Sequence, residues 1–269
     1  MVTSRVRIES IAAGGDGVGR SDGMAVFVPR AAPGDVLDAV LDVRGRFARG
    51  AIVSLLEPSA ARVDPPCIHY TRDRCGGCQL QHADDDAYRG YLVSRVETAL
   101  AQHELGTDIR EPHLSPPRTR RRATLRALKV GQGAVVGFNA EKSHRIVDMR
   151  ECHILRPELF ALVDPLRQLL GRLLEPRHVA EVQLTVVDQG PDVLLKGVRA
   201  EGLQGIEALT SFAMEQRLAR LSLDILSAGG VLSDLPDDDL AGLPDLGGVL
   251  NRSAAWRHEL ARAERILGP

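Results

Sequence analysis

Three of the chain's four cysteines lie within twelve positions, and such a concentration is typical of a metal or cluster site. Cys67 precedes the closely spaced pair Cys75 and Cys78, and Cys152 follows far downstream. A Cys-x-x-Cys turn can direct two thiolates at one centre, and the glycines at 76–77 let the backbone turn tightly with its amide hydrogens facing the sulfurs. The spacing therefore predicts a bound metal ion or cluster.

Three kinds of site compete for these thiols. Disulfides are disfavoured, because the N-terminus lacks the apolar segment of a signal peptide and a cytosolic chain keeps its thiols reduced. Zinc could take four cysteines, or three with one of His69, His82 and His153, although structural zinc sites more often contain two Cys-x-x-Cys pairs. An iron–sulfur cluster accepts three close cysteines and a remote one. Spacing alone leaves zinc and cluster both open.

Composition limits the partners of the chain. The net charge of −2 means that any nucleic-acid surface must be a local patch. Hydrophobic residues at 44% are enough for a core, which must rely on Leu, Val and Ala because aromatic residues make up 3%. The chain has no run of about eighteen apolar residues, so no membrane span is expected. The expected location is the cytoplasm.

The first part of the chain is rich in short strands. Closely spaced strands with Gly and Pro turns predict a small barrel. The predicted strands cover residues 5–8, 25–28, 36–43 and 51–56. The run Gly15–Gly19 has the glycines of a phosphate loop, but another strand follows it instead of a helix. We interpret it as a hairpin turn that requires positive φ.

The middle of the chain mixes helices and strands. Prolines at 58, 65 and 66 indicate a linker, and Asp84–Asp86 supply an N-cap and an acidic first turn for a helix that reaches about residue 105. Strands are predicted at 135–138, 145–148, 182–187 and 192–198, and helices from Pro157, with a break near Pro165, and at 205–218. Because these elements cluster and do not alternate regularly, the region is predicted to be α+β.

Residues 118–129 contain six basic side chains and no acidic one. If this segment is a strand, Arg118, Arg120, Arg122 and Arg126 lie on one face, where a row of guanidinium groups could bind phosphates. The alternative is a solvated strand face whose charges pair with acids elsewhere. Beside a barrel and a cysteine motif of this kind, we favour RNA binding.

The sequence Cys-Gly-Gly-Cys-Gln-Leu-Gln-His at 75–82 resembles the cluster motif of the RNA uracil-C5 methyltransferases of the RlmD/TrmA type. Residues 11–35 resemble that family's TRAM domain, a small OB-like RNA-binding β-barrel. Residues 137–138 and 143–148, followed by a cysteine, resemble the segment that delivers the fourth cluster ligand. The resemblance implies a 4Fe-4S cluster, although the seven residues between the first two cysteines exceed the family's spacing. The implied ligands are Cys67, Cys75, Cys78 and Cys152.

The resemblance also implies an organisation for the chain: a TRAM-like barrel at 1–58, an α+β iron–sulfur and RNA-binding domain at 64–226, and a tail at 227–269 where a SAM-binding Rossmann-like domain would begin. We find no glycine-rich SAM loop, and if the cluster takes all four cysteines, none remains as the nucleophile that the family's reaction needs. We therefore expect the RNA-binding iron–sulfur part of a SAM-dependent RNA (uracil-C5) methyltransferase, with rRNA favoured over tRNA and the catalytic domain truncated or lost. The alternative is a non-catalytic RNA-binding iron–sulfur or zinc protein.

Overall fold

The computed structural model describes residues 2–224, so the predicted tail at 227–269 lies outside the described residues. The chain divides into two compact units between Pro116 and Pro117. The first unit contains strands β1–β5 and helices α1 and α2: β1 Val2–Ile11, β2 Gly17–Ser21, β3 Met24–Val28, β4 Val36–Arg44, β5 Phe47–Glu57, α1 Ile68–Thr71 and α2 Asp85–Ala101. None of the helices described in either unit is long and apolar enough to cross a membrane.

The five strands of the first unit form a closed barrel in the order β1-β2-β3-β5-β4. Neighbouring strands are antiparallel except for β3 and β5, which are parallel. Alternate apolar side chains, such as Val26 and Val28 on β3, are fully buried inside the barrel. Gly19 lies where β1 and β2 approach closely, because a Cβ on it would stand 2.3 Å from the Arg7 carbonyl oxygen. The predicted small barrel is therefore confirmed.

The glycine-rich run forms a turn between antiparallel strands, as the sequence predicted. The Gly15 amide donates to the Ala12 carbonyl oxygen at 2.8 Å, and Gly15 has a φ of +88°. β2 follows directly, and no helix opens at this loop. The loop is fastened to the rest of the unit, since the Tyr91 hydroxyl on α2 donates to the Ala13 carbonyl oxygen at 2.9 Å.

One buried carboxylate joins the barrel to the segment that follows it. The fully buried Asp35 accepts hydrogen bonds from the Ala32 amide at 2.7 Å and the Ser59 amide at 2.9 Å. The Arg62 guanidinium adds two more, from Nε at 3.1 Å and Nη2 at 2.5 Å. Burial alone would raise the pKa of Asp35, but these hydrogen bonds together lower it below its ordinary value of 3.8. The carboxylate is therefore ionised at neutral pH.

Helix α2 has the predicted N-cap but ends earlier than expected. The Asp84 side chain accepts from the Ala87 amide at 2.8 Å, and Asp85 and Asp86 occupy the first turn. Glu104 adopts a φ of +56°, and the Leu105 amide returns to the Leu100 carbonyl oxygen at 3.0 Å. This left-handed closure ends the helix at Ala101, four residues before the predicted end.

The second unit is a five-stranded sheet with helices packed on one face, which confirms an α+β fold. Its elements are β6 Arg122–Val130, β7 Gly133–Gly137, α3 Pro157–Phe160, α4 Val163–Leu173, β8 Val179–Val187, β9 Gly190–Lys196, α5 Gly202–Glu215 and β10 Arg220–Asp224. The strand order is β10-β9-β8-β6-β7, with β9 and β10 parallel. Buried strand residues such as Leu125 and Leu184 pack with Leu166 and Leu170 of α4 in one core.

The helical segment after residue 157 breaks as predicted, but three residues earlier. The gap between α3 and α4 lies at residues 161–162, and Pro165 is the third residue of α4. In the first turn of a helix the amide has no partner within the helix, so a proline there is tolerated. The predicted strand at 145–148 is reduced to a bridge between Asn139 and Ile146.

We predict that Asp35→Asn destabilises the first unit by about 3 kcal/mol at neutral pH, because one charge of a buried pair is removed while Arg62 stays. A lowered folded pKa stabilises the fold above the ordinary pKa, and this contribution disappears as the pH falls through the folded value. The difference between the parent chain and the variant should therefore shrink below about pH 4. Urea unfolding followed by circular dichroism between pH 3 and 7 measures both effects.

The matched control is Asp38→Asn on the barrel surface, where Asp38 Oδ1 and Arg5 Nε are 3.7 Å apart and the arginine is largely exposed. Exposed pairs of this kind contribute about 1 kcal/mol or less. An equal loss in the two variants would show that Asp35 has no special structural role.

Candidate functional site

The segment between Cys67 and Cys75 is folded back on itself by a single helical turn. Cys67 is the buried N-cap of α1, and its carbonyl oxygen accepts from the Tyr70 amide at 3.1 Å. The Cys75 amide then donates to the His69 carbonyl oxygen at 2.9 Å, after Arg74 has adopted a φ of +54°. The seven intervening residues are therefore compacted, and the long spacing in the sequence does not correspond to a long separation along an extended chain.

A buried aromatic pair supports the other end of the motif. The Tyr70 hydroxyl donates to the Gln79 carbonyl oxygen at 2.8 Å, directly after Cys78, and lies 2.6 Å from His82 Nδ1. Arg30 lies over the Tyr70 ring at 4.3 Å from its centre and donates to the Tyr70 carbonyl oxygen. The position of the loop that carries Cys78 is therefore set from the barrel side.

His82 is neutral in this environment. Its side chain is buried, and burial lowers its pKa to about 4. Two neighbours fix the ring: the Tyr70 hydroxyl lies at Nδ1, and a hydrogen bond between His82 and the Ala31 backbone opposes the effect of burial on the pKa of His82.

The other two histidines named as possible zinc ligands have acidic neighbours. His69 Nδ1 donates to Asp73 Oδ2 at 2.6 Å, and this hydrogen bond is the main reason why the pKa of Asp73 is lowered. His153 Nε2 lies 3.5 Å from Glu151 Oε1 in the second unit.

The four cysteines suit a cluster by their chemistry, and none of them forms a disulfide in the described part of the chain. Cys67, Cys75 and Cys78 belong to the first unit and Cys152 to the second. Across residues 2–224, however, no group of three or more Cys, His, Asp or Glu side chains is close enough to hold a metal ion. The ligand set therefore stays a prediction from the sequence.

The segment after Cys152 lies beside the arginine-rich segment, which the sequence did not predict. The Arg118 amide donates to the His153 carbonyl oxygen at 2.9 Å, and the Arg120 amide donates to that of Ile154 at 2.9 Å. Arg120 and Leu155 form a parallel bridge, completed by the Arg156 amide, which donates to the Arg120 carbonyl oxygen at 3.1 Å. The backbone of the arginine segment is thereby fixed next to a predicted cluster ligand.

The predicted row of four arginines on one strand face is wrong for Arg118 and Arg120, because the strand starts later than predicted. β6 begins at Arg122, so only Arg122 and Arg126 share a face of that strand. Arg118 precedes the strand in a turn with a φ of +60°, and Arg120 lies in the bridge to Leu155. The sequence pattern did not show where the regular strand would start.

The four arginines also differ in their electrostatic surroundings. Arg126 Nη2 lies 2.9 Å from Glu181 Oε2, and Lys196 Nζ lies 3.5 Å from Glu181 Oε1. A hydrogen bond from Gln183, assisted by the two cations, lowers the pKa of Glu181. Arg118, Arg120 and Arg122 are exposed, and no carboxylate of the described residues pairs with them. The alternative prediction was that acids elsewhere pair with these arginines. Of the four arginines, this holds for Arg126 alone.

An open groove of about 660 Å³ runs along this end of the sheet. It is lined by Arg120, Arg121, Arg122 and residues 185–189 at the end of β8. Arg121 Nη2 donates to the Val186 carbonyl oxygen at 3.2 Å and lies 3.9 Å from Asp188 Oδ1, so Arg121 is held against the wall. Arg120 and Arg122 give the groove positive charge that no carboxylate within residues 2–224 pairs with, which suits an anionic ligand.

The chain is similar to proteins named RNA methyltransferases, and its barrel matches a known domain. Residues 3–53, which form most of the barrel, match the TRAM domain. The chain is 39% identical over 219 residues to an uncharacterized RNA methyltransferase of Zymomonas mobilis, covering 81% of this chain and 51% of that protein. It is 38% identical over 224 residues to one of Caulobacter vibrioides, covering 80% and 52%.

A relative with a more specific name is the 23S rRNA (uracil(1939)-C(5))-methyltransferase RlmD of Pectobacterium atrosepticum, at 33% identity over 217 residues. That match covers 78% of this chain and 48% of the relative. The chain spans about half the length of the relatives that it matches.

We predict that Arg122→Ala weakens the binding of a single-stranded RNA oligonucleotide more than Arg126→Ala does, because Arg126 already pairs with Glu181. Each variant loses one positive charge, so a general charge effect would be the same in both. If Arg122 contacts a phosphate, the slope of log affinity against log salt should fall by about 0.7 for its variant. Fluorescence anisotropy titrations at several salt concentrations measure both quantities. Equal losses would remove the groove from the binding surface.

Proposed function

Because this chain carries a TRAM domain and is homologous to RNA methyltransferases over about four-fifths of its length, we propose that it forms the RNA-binding part of a SAM-dependent RNA (uracil-C5) methyltransferase. The observation that carries the proposal is the groove lined by Arg120 and Arg122. Within residues 2–224, no carboxylate pairs with either guanidinium group. The substrate proposed is rRNA in preference to tRNA, since 23S rRNA appears in the names of two relatives. The cytoplasm is the proposed location.

The first unit contributes a second surface for RNA in this proposal. A small closed barrel can bind a single strand along its wall, while phosphate contacts elsewhere fix the orientation of the RNA. Binding then depends on a few exposed cations, because the chain as a whole has a net charge of −2. The proposed division of labour is phosphate positioning by Arg118, Arg120 and Arg122 of the second unit and strand binding by the barrel.

The proposal includes a 4Fe-4S cluster held by Cys67, Cys75, Cys78 and Cys152. Support comes from the donor chemistry, four thiols with no disulfide among them, and from the compact fold of the segment before Cys75. Cys152 adjoins the strand-like segment at 153–156, which hydrogen-bonds to Arg118 and Arg120. Fixing Cys152 would therefore also fix the backbone of the arginine segment.

Methyl transfer requires a nucleophile and a base, and cysteines that bind the cluster cannot serve as the nucleophile. SAM would supply the methyl group, and a thiolate nucleophile and a base are needed for the uracil. The sequence has four cysteines, and all four are assigned to the cluster. The nucleophile would therefore come from outside these 269 residues. The same count supports a second candidate, an RNA-binding iron–sulfur or zinc protein that does not methylate.

We predict iron and acid-labile sulfide near four per chain after anaerobic purification, because four thiolates match one cubane cluster. Cys152→Ser should lower the iron content and weaken RNA binding several-fold, since the segment that holds Arg118 and Arg120 loses its anchor. Ser211→Ala, at an exposed residue of α5 in the same unit, is the matched control and should change neither quantity. Stoichiometric zinc without iron would contradict the cluster.

We predict that the anaerobically purified chain binds unmodified 23S rRNA fragments but transfers no label to them from methyl-labelled SAM. The physical reason is the absence of a spare thiolate if all four cysteines bind the cluster. Unmodified tRNA serves as the comparison substrate and should bind more weakly. Methylation at uracil C5 by this chain would show that one of the four cysteines is the nucleophile and not a ligand, and failure to bind either RNA would contradict the proposed function.

A further inference from the structure

Two phenylalanines lie together on the outer wall of the barrel. Phe27 on β3 and Phe47 on β5 have ring centres 5.7 Å apart and planes at 87°. The chain has only five phenylalanines, three tyrosines and one tryptophan, so two phenylalanines on one surface are a large share of its aromatic residues. The barrel core does not need these rings, because it is filled by aliphatic side chains such as Val26, Val28 and Ala48, all fully buried.

The strand register confirms that both rings point outward. Along β3, Phe27 stands between the buried Val26 and Val28, and along β5, Phe47 precedes the buried Ala48. Alternate residues of a strand face opposite sides, so the phenyl rings face away from the core. Phe47 is 37% exposed, which makes it the most accessible phenylalanine of the described residues.

Cations surround this aromatic pair. Arg44 is the cross-strand neighbour of Phe47, Arg49 is that of Phe27, and Arg46 lies at the tip of the β4–β5 hairpin. Arg44 pairs with Asp42 at 2.8 Å, but both side chains are more than half exposed, so water and salt screen the pair. Within residues 2–224, Arg46 has no carboxylate partner. Arg49 Nη1 lies 3.3 Å from Asp16 Oδ2, so the positive charge beside the exposed aromatic face comes chiefly from Arg46.

We propose that the Phe27–Phe47 pair, defined here as the aromatic wall, is a stacking surface for unpaired RNA bases, with Arg46 contacting the adjoining phosphate. The inference rests on the proposed RNA-binding function and specifies the state of the RNA that binds to the barrel. Bases stack on exposed aromatic rings in single strands, loops and bulges, whereas in a duplex the base faces are covered by neighbouring base pairs. Cations interleaved with aromatic rings suit a nucleic-acid strand better than an apolar protein partner.

The experiment compares a single-stranded RNA oligonucleotide with a duplex of the same length and strand sequence, using the full chain. Phe47→Leu keeps an apolar side chain but removes the aromatic face, and should weaken single-strand binding at least about fivefold. The duplex affinity should stay unchanged. Phe47→Trp should restore or strengthen single-strand binding, and its added fluorescence should be quenched on stacking.

Two further variants control for folding and for general surface effects. Val53→Ala changes an exposed apolar residue of the same strand and should leave binding unchanged. Arg46→Gln changes a hairpin-tip residue without touching the core, and should weaken single-strand binding even if a Phe47 variant folds poorly. Thermal unfolding of each variant shows whether the fold is kept.

The outcomes separate this inference from the proposed function. If the parent chain binds single strands and Arg122→Ala weakens that binding, while Phe47→Leu and Arg46→Gln do not, the stacking surface is wrong and the RNA-binding function stands. Equal losses for single strand and duplex in Phe47→Leu would likewise overturn the stacking surface. If the parent chain binds neither RNA, both proposals fail. Capture of a protein by the aromatic wall, with RNA binding unchanged by its variants, would assign the surface to a protein partner.

Discussion

The burial of the Asp35 carboxylate is the constraint on which the arrangement of the first unit depends. A carboxylate removed from water must be fully hydrogen-bonded, and four donors from three separate places in the chain meet this need. Those donors come from the turn before β4, from the second residue after β5 and from Arg62. The hydrogen bonds to this one carboxylate thus fix the segment that follows the last barrel strand, β5.

The segment after β5 in turn positions the cysteine motif. Arg62 pairs with Ala83 in a bridge, and the Val63 amide donates to the His82 carbonyl oxygen at 3.0 Å. Arg62 also donates to the Arg30 carbonyl oxygen, and Arg30 in turn covers the Tyr70 ring. The two ends of the cysteine loop are therefore held by side chains and backbone of the barrel and linker, in a chain whose aromatic content leaves few other ways to pack a loop.

Local sequence patterns predicted most helices and strands, but they did not predict contacts between residues that are far apart in the sequence. Alternation of apolar residues predicted four of the five barrel strands, all but β2, as well as the β8–β9 hairpin, and Asp84 predicted a cap, because these signals act within a few residues. The predicted row of arginines failed at Arg120 because this residue lies in a bridge to Leu155, 35 positions away in the sequence. The pairing of Arg126 with Glu181 depends in the same way on the neighbouring strand β8. No periodicity in a single segment contains that information.

The bridge between Arg120 and Leu155 also has a consequence for the order in which the second unit can fold. The two bridged segments are parallel, and the whole β6–β7 hairpin lies between them in the sequence. The bridge can therefore form only as the closure of a loop that contains this hairpin. Closing such a loop costs entropy before its contacts are made, and non-local pairings form late for this reason. The arginine-lined groove is therefore a feature of the finished fold, and a nascent or partly folded chain would present these positive charges without the geometry that makes them selective.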